Sequence, residues 1–159
     1  MASAQNPQPK STFLSPSRFL FVVDGGLSYH CTTIDLPTVS VEGVKSDYRQ
    51  HQVAIPGTKL SFSPFTATFI VEEDLGNYIT LLEWMISGAK DQNDMNENKK
   101  DLTLLIYSNN NKVAKAIKYI GAFPTSVSTI DFSTMLTETE YPKCSVSFEY
   151  DYFHITNHE

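Results

Sequence analysis

Charge is scarce in this sequence. Charged residues make up only 19% of the 159, and no run of Lys and Arg exceeds the pair Lys99-Lys100. A protein that grips nucleic acid needs a basic patch to displace counterions, and a formal net charge of −6 excludes that class. An acidic chain can still sit beside nucleic acid if its task is to avoid sticking to it. Cysteine is as sparse: Cys31 and Cys144 are far apart and show neither CxxC nor Cys/His spacing, so no zinc or redox motif is readable and both are expected as reduced core thiols. Long apolar runs are missing too. No stretch of 18 apolar residues occurs and the N-terminus lacks an apolar signal core, which predicts a soluble protein made in the cytosol with no membrane partner.

What remains is apolar and β-rich. Hydrophobic residues are 41% of the chain, and a length of 159 is enough for one core that buries about two thirds of the extended surface. So much apolar surface against so little charge suggests that part of the outside is covered by partners.

The central stretch is Ser63 to Met85. Phe65, Ala67, Phe69 and Val71 alternate with Thr66, Thr68 and Ile70, which predicts a core strand. Glu72-Glu73-Asp74 follows where a helix N-terminus would welcome acids. Leu75, Tyr78, Ile79, Leu82, Met85 and Ile86 then keep helical spacing, with Leu81 and Trp84 widening the stripe, which predicts a helix over about 75–88 with Gly88 at its end.

Around that joint the chain reads as strands. Residues 1–17 hold three of the eight prolines and are expected to form an arm, with Phe13 and Leu14 either anchoring it or lying in a disordered tail. Residues 18–155 are expected to form one domain. Arg18–Val23 and Leu27–Ile34 flank Gly25-Gly26 as a hairpin whose first strand is apolar on both faces, and Leu36-Pro37 ends it. Residues 38–60 are polar and alternate weakly, predicting a long hairpin that projects from the core, with its polar residues densest from Ser46 to Gln52 and bends near Lys45-Ser46-Asp47 and Pro56-Gly57. An arm that does not pack on its own domain usually packs on another chain; a plain solvated hairpin is the alternative. Lys90–Lys100 reads as a loop. Leu102–Tyr107 and Val113–Tyr119 form a hairpin over Ser108-Asn109-Asn110-Asn111, a turn that favours this over a helix at Val113–Ile120, Phe123-Pro124 breaks it, and Val127–Phe132 alternates as a further strand. The last strand puts Cys144, Val146, Phe148, Tyr150 and Tyr152 on one face and Ser145, Ser147, Glu149 and Asp151 on the other.

No catalytic constellation emerges. His30, His51, His154 and His158 lack metal-ligand spacing, Asp24-Gly25-Gly26 is no phosphate cradle, and Glu72, Glu73 and Asp74 read better as a cap than as an acid/base pair. Trp84 among Leu and Met reads as core. The residues alone therefore predict a mainly antiparallel β domain that works by assembling, with no enzyme activity, cofactor or metal. A carbohydrate-binding or hydrolytic β-sandwich would instead need an aromatic platform or a carboxylate pair in a cleft.

Several features coincide in order: the corner Ile34-Asp35-Leu36-Pro37, the arm ending in Ile55-Pro56-Gly57, the strand running through acids into Glu83-Trp84-Met85, and Gly121-Ala122-Phe123-Pro124-Thr125-Ser126-Val127 before the Val-Ser-Phe-Glu-Tyr-Asp-Tyr strand. Over about residues 18 to 155 this resembles the tail tube proteins of contractile-tailed bacteriophages and their baseplate and tail-end relatives. The resemblance implies an antiparallel two-sheet β-sandwich or barrel with one flanking helix, packed on its outside with Tyr78, Leu82 and Met85 inward. It implies six copies closing into a ring, rings stacking through hairpins and N-terminal arms, and a channel through which DNA passes without specific binding. Glu149 and Asp151 are then candidates for an acidic lumen, and Phe13, Leu14, Asp47, Tyr48, Arg49 and His51 for contacts between subunits or rings. Other implied partners are the sheath, baseplate or neck proteins, and the expected location is the virion. The 17-residue Pro/Ser arm departs from many tube subunits, which leaves a baseplate ring or a terminator ring as the alternative role.

Overall fold

The structure, a computed structural model, describes residues 17–23, 27–29, 31–48, 51–90, 98–133 and 141–157. In chain order they form β1 (Phe19–Val23), β2 (Leu27–Tyr29), β3 (Cys31–Ile34), β4 (Val39–Tyr48), β5 (His51–Phe62), β6 (Phe65–Ile70), α1 (Gly76–Lys90), β7 (Lys100–Tyr107), β8 (Val113–Val127), β9 (Lys143–Glu149) and β10 (Tyr152–Asn157). Apart from α1 the regular structure is β, and every strand pairing is antiparallel.

Two layers share one strand. The first runs β2-β1-β7-β8 with β10 on the far side of β8, and the second runs β8-β9-β6-β3. The first half of β8 ladders with β7 and β10, and its second half ladders with β9. The strand turns between layers at Gly121, whose φ of +64° is the left-handed region, and a Cβ there would run into the Asp151 carboxylate. Asp101 holds the same corner, accepting the Gly121 N–H at 3.3 Å and pairing with Lys118 at 2.9 Å. The layers do not close into a barrel.

The alternating residues of β6 and β9 supply the core, as expected. Phe65, Ala67, Phe69, Cys144, Val146 and Phe148 are all buried, and Phe21 of β1 meets Phe65 and Phe148 from the opposite layer at ring-centroid distances of 6.2 and 6.1 Å. Phe65 also stacks on Tyr119 at 4.4 Å and on Phe148 at 5.3 Å. Each such ring contributes about 2–3 kcal/mol by leaving water.

Several local expectations are corrected. Strand β1 is dry on one face only, with Phe21 and Val23 buried and Leu20 36% exposed. Phe123-Pro124 does not end β8, because Pro124 sits in the second-layer half of the strand, which among the described residues ladders with β9 alone and needs no N–H on its other side. β8 stops at Val127, so residues 128–132 are not a strand and Phe132 is exposed. The terminal strand breaks at Tyr150-Asp151, where the Asp151 N–H donates to the Ile120 carbonyl and the chain crosses from the second layer to the first. Tyr152 is therefore on a different strand from Phe148 and half exposed.

The helix forms where its spacing predicts, but it presents a different stripe. Asn77, Leu81 and Trp84 are buried, while Leu82 is exposed and Tyr78 and Met85 are half-buried. The reason is polar. Asn77 reaches inward to donate to the Ile70 carbonyl at 2.8 Å and to accept the Glu72 N–H at 3.3 Å, tying the helix start to the end of β6. Trp84 donates its indole N–H to the Asn98 carbonyl at 2.6 Å and packs on Phe148. Of the acids, Asp74 caps, accepting the Gly76 N–H at 3.0 Å, and Leu75 with φ of +57° makes the turn. Gly88 lies inside the last turn rather than beyond it.

Candidate assembly interface

Strands β4 and β5 form a separate two-stranded sheet. They pair only with each other, from Val39↔Phe62 at the root to Tyr48↔His51 at the far end. The root is fastened by Ser63 N–H to the Thr38 carbonyl at 3.0 Å and by Phe62 against Tyr150 and Phe153. Beyond it, Val41 faces Leu60 and Val44 faces Ile55 across the ladder, and all four are at least 49% exposed. Pro56-Gly57 is not a bend but part of an irregularity between Val41 and Gly43, where a Cβ on Gly57 would collide with the Glu42 carbonyl oxygen. A two-stranded ribbon is marginal in water on its own, and apolar pairs on one are unusual unless something covers them.

The backbone puts Asp47, Tyr48 and His51 at the far end of this ribbon. Arg49, Phe13 and Leu14 lie outside the described residues. Glu149 and Asp151 are not brought together. Glu149 ends β9, exposed on the face of Ser145 and Ser147. Asp151 lies past the crossover, and its carboxylate takes Lys99 Nζ at 2.8 and 2.9 Å, so its charge is paired.

Chemistry is not assembled among the described residues. They hold no group of three His, Cys, Asp or Glu placed to share a metal. Burial pushes the Cys31 thiol up to about 12 and raises Cys144 as well, so neither is a ready thiolate. The Tyr119 hydroxyl is buried without a partner, and desolvation raises its pKa. Glu72 and Glu73 border an open groove of about 640 Å³ with Leu75, Phe132 and Tyr141, but both are exposed, unlike a carboxyl held in apolar surroundings for acid catalysis. A second open groove of about 520 Å³, beside Trp84, Met85, Phe123 and Pro124, is lined mainly by apolar groups.

A further surface escaped sequence reasoning: the outward face of the second layer is lined by hydroxyls, with Thr68 and Ser145 bonded at 2.8 Å and Thr66 and Ser147 at 3.4 Å. Its signal was the polar half of the same alternation that revealed the core.

Known proteins share this architecture. The fold superposes on the tube-terminating cap of the anti-feeding prophage with a TM-score of 0.76 at 18% identity, covering 99% of this chain and 100% of that one. A chain from the sheath/tube terminator of an extracellular contractile injection system, PVC, matches with a TM-score of 0.68 at 18% identity over 97% and 99%. One from the PVC sheath-tube complex matches with 0.70 at 17% over 97% and 94%. In sequence, the tail tube terminator protein of Enterobacteria phage T4 is 27% identical over 107 residues, which is 63% of this chain and 60% of that relative's length. The family model described as phage tail tube protein matches residues 11–156. With nearly the whole sequence matched, the chain belongs to the phage tail tube protein family.

Proposed function

We propose that this chain is the ring-forming subunit that closes the end of a contractile tail tube, with six copies per ring. In this reading residues 18–155 act as one domain, and the first 17 residues, with Phe13 and Leu14, reach to a neighbour. The observation that carries assembly is the β4–β5 ribbon: Val41, Leu60, Val44 and Ile55 are about half exposed on a ribbon that no other described strand pairs with, and a neighbouring copy would bury them. Asp47, Tyr48, Arg49 and His51 then contact the neighbour at the ribbon's far end. Likeness to the T4 terminator favours the end of the tube over its shaft. The other partners are the last tube ring and the sheath or neck. DNA passes through the ring without being held, since a net charge of −6 offers no counterion-release attraction. Synthesis is in the host cytoplasm and the destination is the virion.

A second reading, an ordinary tube subunit, is favoured by the similar fold in the PVC sheath-tube complex. The two differ in how far assembly goes. Electron microscopy of the purified protein at rising concentration is expected to show single rings that stop. Long tubes would replace the terminator role by the tube role, and monomers at every concentration would refute both.

A further inference from the structure

The second layer turns a patterned face away from the core. One row runs Thr33, Thr68, Ser145 across β3, β6 and β9, and extends to Ser128, whose N–H donates to the Ser145 carbonyl. The next row runs Thr66, Ser147, Ser126 across β6, β9 and β8. Side chains within the rows bond one another, Thr68 to Ser145 and Thr66 to Ser147. Thr125 Oγ1 donates to the Ser147 carbonyl, and Thr32 Oγ1 to the Thr68 carbonyl. No position in either row is charged. Charge appears at the ends of β9, in Lys143 and Glu149.

The outward face of the first layer is built differently. There Lys118 pairs with Asp101, Lys99 pairs with Asp151, and His154 lies opposite Lys118 in the ladder. Exposed Leu20 and Tyr152 add apolar area. Salt bridges and apolar side chains are what a protein partner engages. Rows of mutually bonded hydroxyls offer neither a cation for phosphates nor an apolar surface to dehydrate.

We propose that this hydroxyl face is the wall along which DNA slides, so that passage depends on an uncharged wetted surface rather than on an acidic one; the inference rests on the ring reading above. Phosphates release no counterions against hydroxyls, so the rows themselves give a polyanion no cation to bind, and the hydroxyls of Thr66, Thr68, Ser145 and Ser147, already bonded in pairs, have little to gain by holding it. The charges at the two ends of β9 frame the face, the Glu149 carboxylate at one mouth and the Lys143 ammonium at the other, and the hydroxyl rows lie between them. Asp151 is excluded from the wall, since its charge is spent on Lys99 across the chain crossover.

The test places one engineered cysteine at a time in a Cys31→Ala background, where the remaining Cys144 is buried, and labels assembled protein with a gold-cluster maleimide for electron microscopy; the background protein alone is the unlabelled control. Ser147→Cys and Ser126→Cys differ from the native side chains by one atom each, and Ser126 is exposed, so at least one tolerates the change. His154→Cys marks the other layer. The expected result is label density on the ring axis for Ser147→Cys and Ser126→Cys, filling the channel, and density off the axis for His154→Cys. Rings whose 147 and 126 labels lie at the periphery, or whose thiols are shielded between copies, would overturn the hydroxyl wall and leave the ring reading intact. Absence of rings in the unlabelled wild-type protein would defeat the ring reading and the wall with it.

Discussion

The layered body and the ribbon draw on the same residue types and use them in opposite ways. In the body, Phe21, Phe65, Tyr119 and Phe148 are buried to 2% exposure or less and touch one another across two layers. In the ribbon, Val41, Val44, Ile55 and Leu60 are paired across a ladder and yet about half exposed. The first set stabilises the subunit. The second adds less to it, because about half of its apolar area stays in water until another chain covers it.

Substitutions graded by their effect on the isolated subunit can break that division. Phe65→Ala removes the ring that stacks on both Tyr119 and Phe148, and is expected to cost about 3–5 kcal/mol in urea unfolding. A cost below about 1 kcal/mol would mean the layers are not held by this cluster. Gly121→Ala forces a side chain into left-handed backbone and against the Asp151 carboxylate, with an expected loss of about 1–3 kcal/mol in the same measurement.

The Asp101 corner should show itself through pH. The Lys118 partner first, and the Gly121 N–H after it, hold the Asp101 carboxyl below its ordinary value of 3.8. The folded state thus favours the carboxylate, so its contribution is present above that value and is lost as pH falls through the lower folded pKa. Because the pair is partly exposed, the increment is at most about 1 kcal/mol. In acid titrations of thermal stability, Asp101→Asn should remove that part of the slope, and an unchanged slope would assign the acid sensitivity elsewhere.

The smallest expected effect on the subunit is in the ribbon. Val41→Asp with Leu60→Asp should leave unfolding within about 0.5 kcal/mol of wild type, as for exposed sites. Sedimentation should nevertheless show the assembled species gone. If the pair instead destabilises the subunit by several kcal/mol, the ribbon is part of the fold and the contrast collapses.

Much of this was readable beforehand, for reasons particular residues make plain. Alternation in Phe65–Val71 and Cys144–Phe148 survives because each strand has one dry and one wet face. The pairing of β4 with β5 was visible in the weak alternation of residues 38–60. The crossover at Tyr150-Asp151 was not, since side chains keep alternating while the backbone changes partners there. The helix face was misjudged because apolar residues lie around much of α1, and a buried Asn77, chosen for its hydrogen bonds to Ile70 and Glu72, decides the rotation. The continuation of β8 through Pro124 depends on which side of the strand has no partner, and only tertiary structure supplies that. Of the proposed interface, the position of the ribbon was legible. Its exposed apolar pairs required the register, which the irregularity at Gly57 sets.

A cryo-EM reconstruction of the assembled wild-type protein tests the division between body and ribbon most directly. The account predicts closed rings in which Val41, Leu60, Val44 and Ile55 are buried against a neighbouring copy while the aromatic cluster of each body is unchanged. Rings held through other surfaces, with those four side chains still in water, would contradict it.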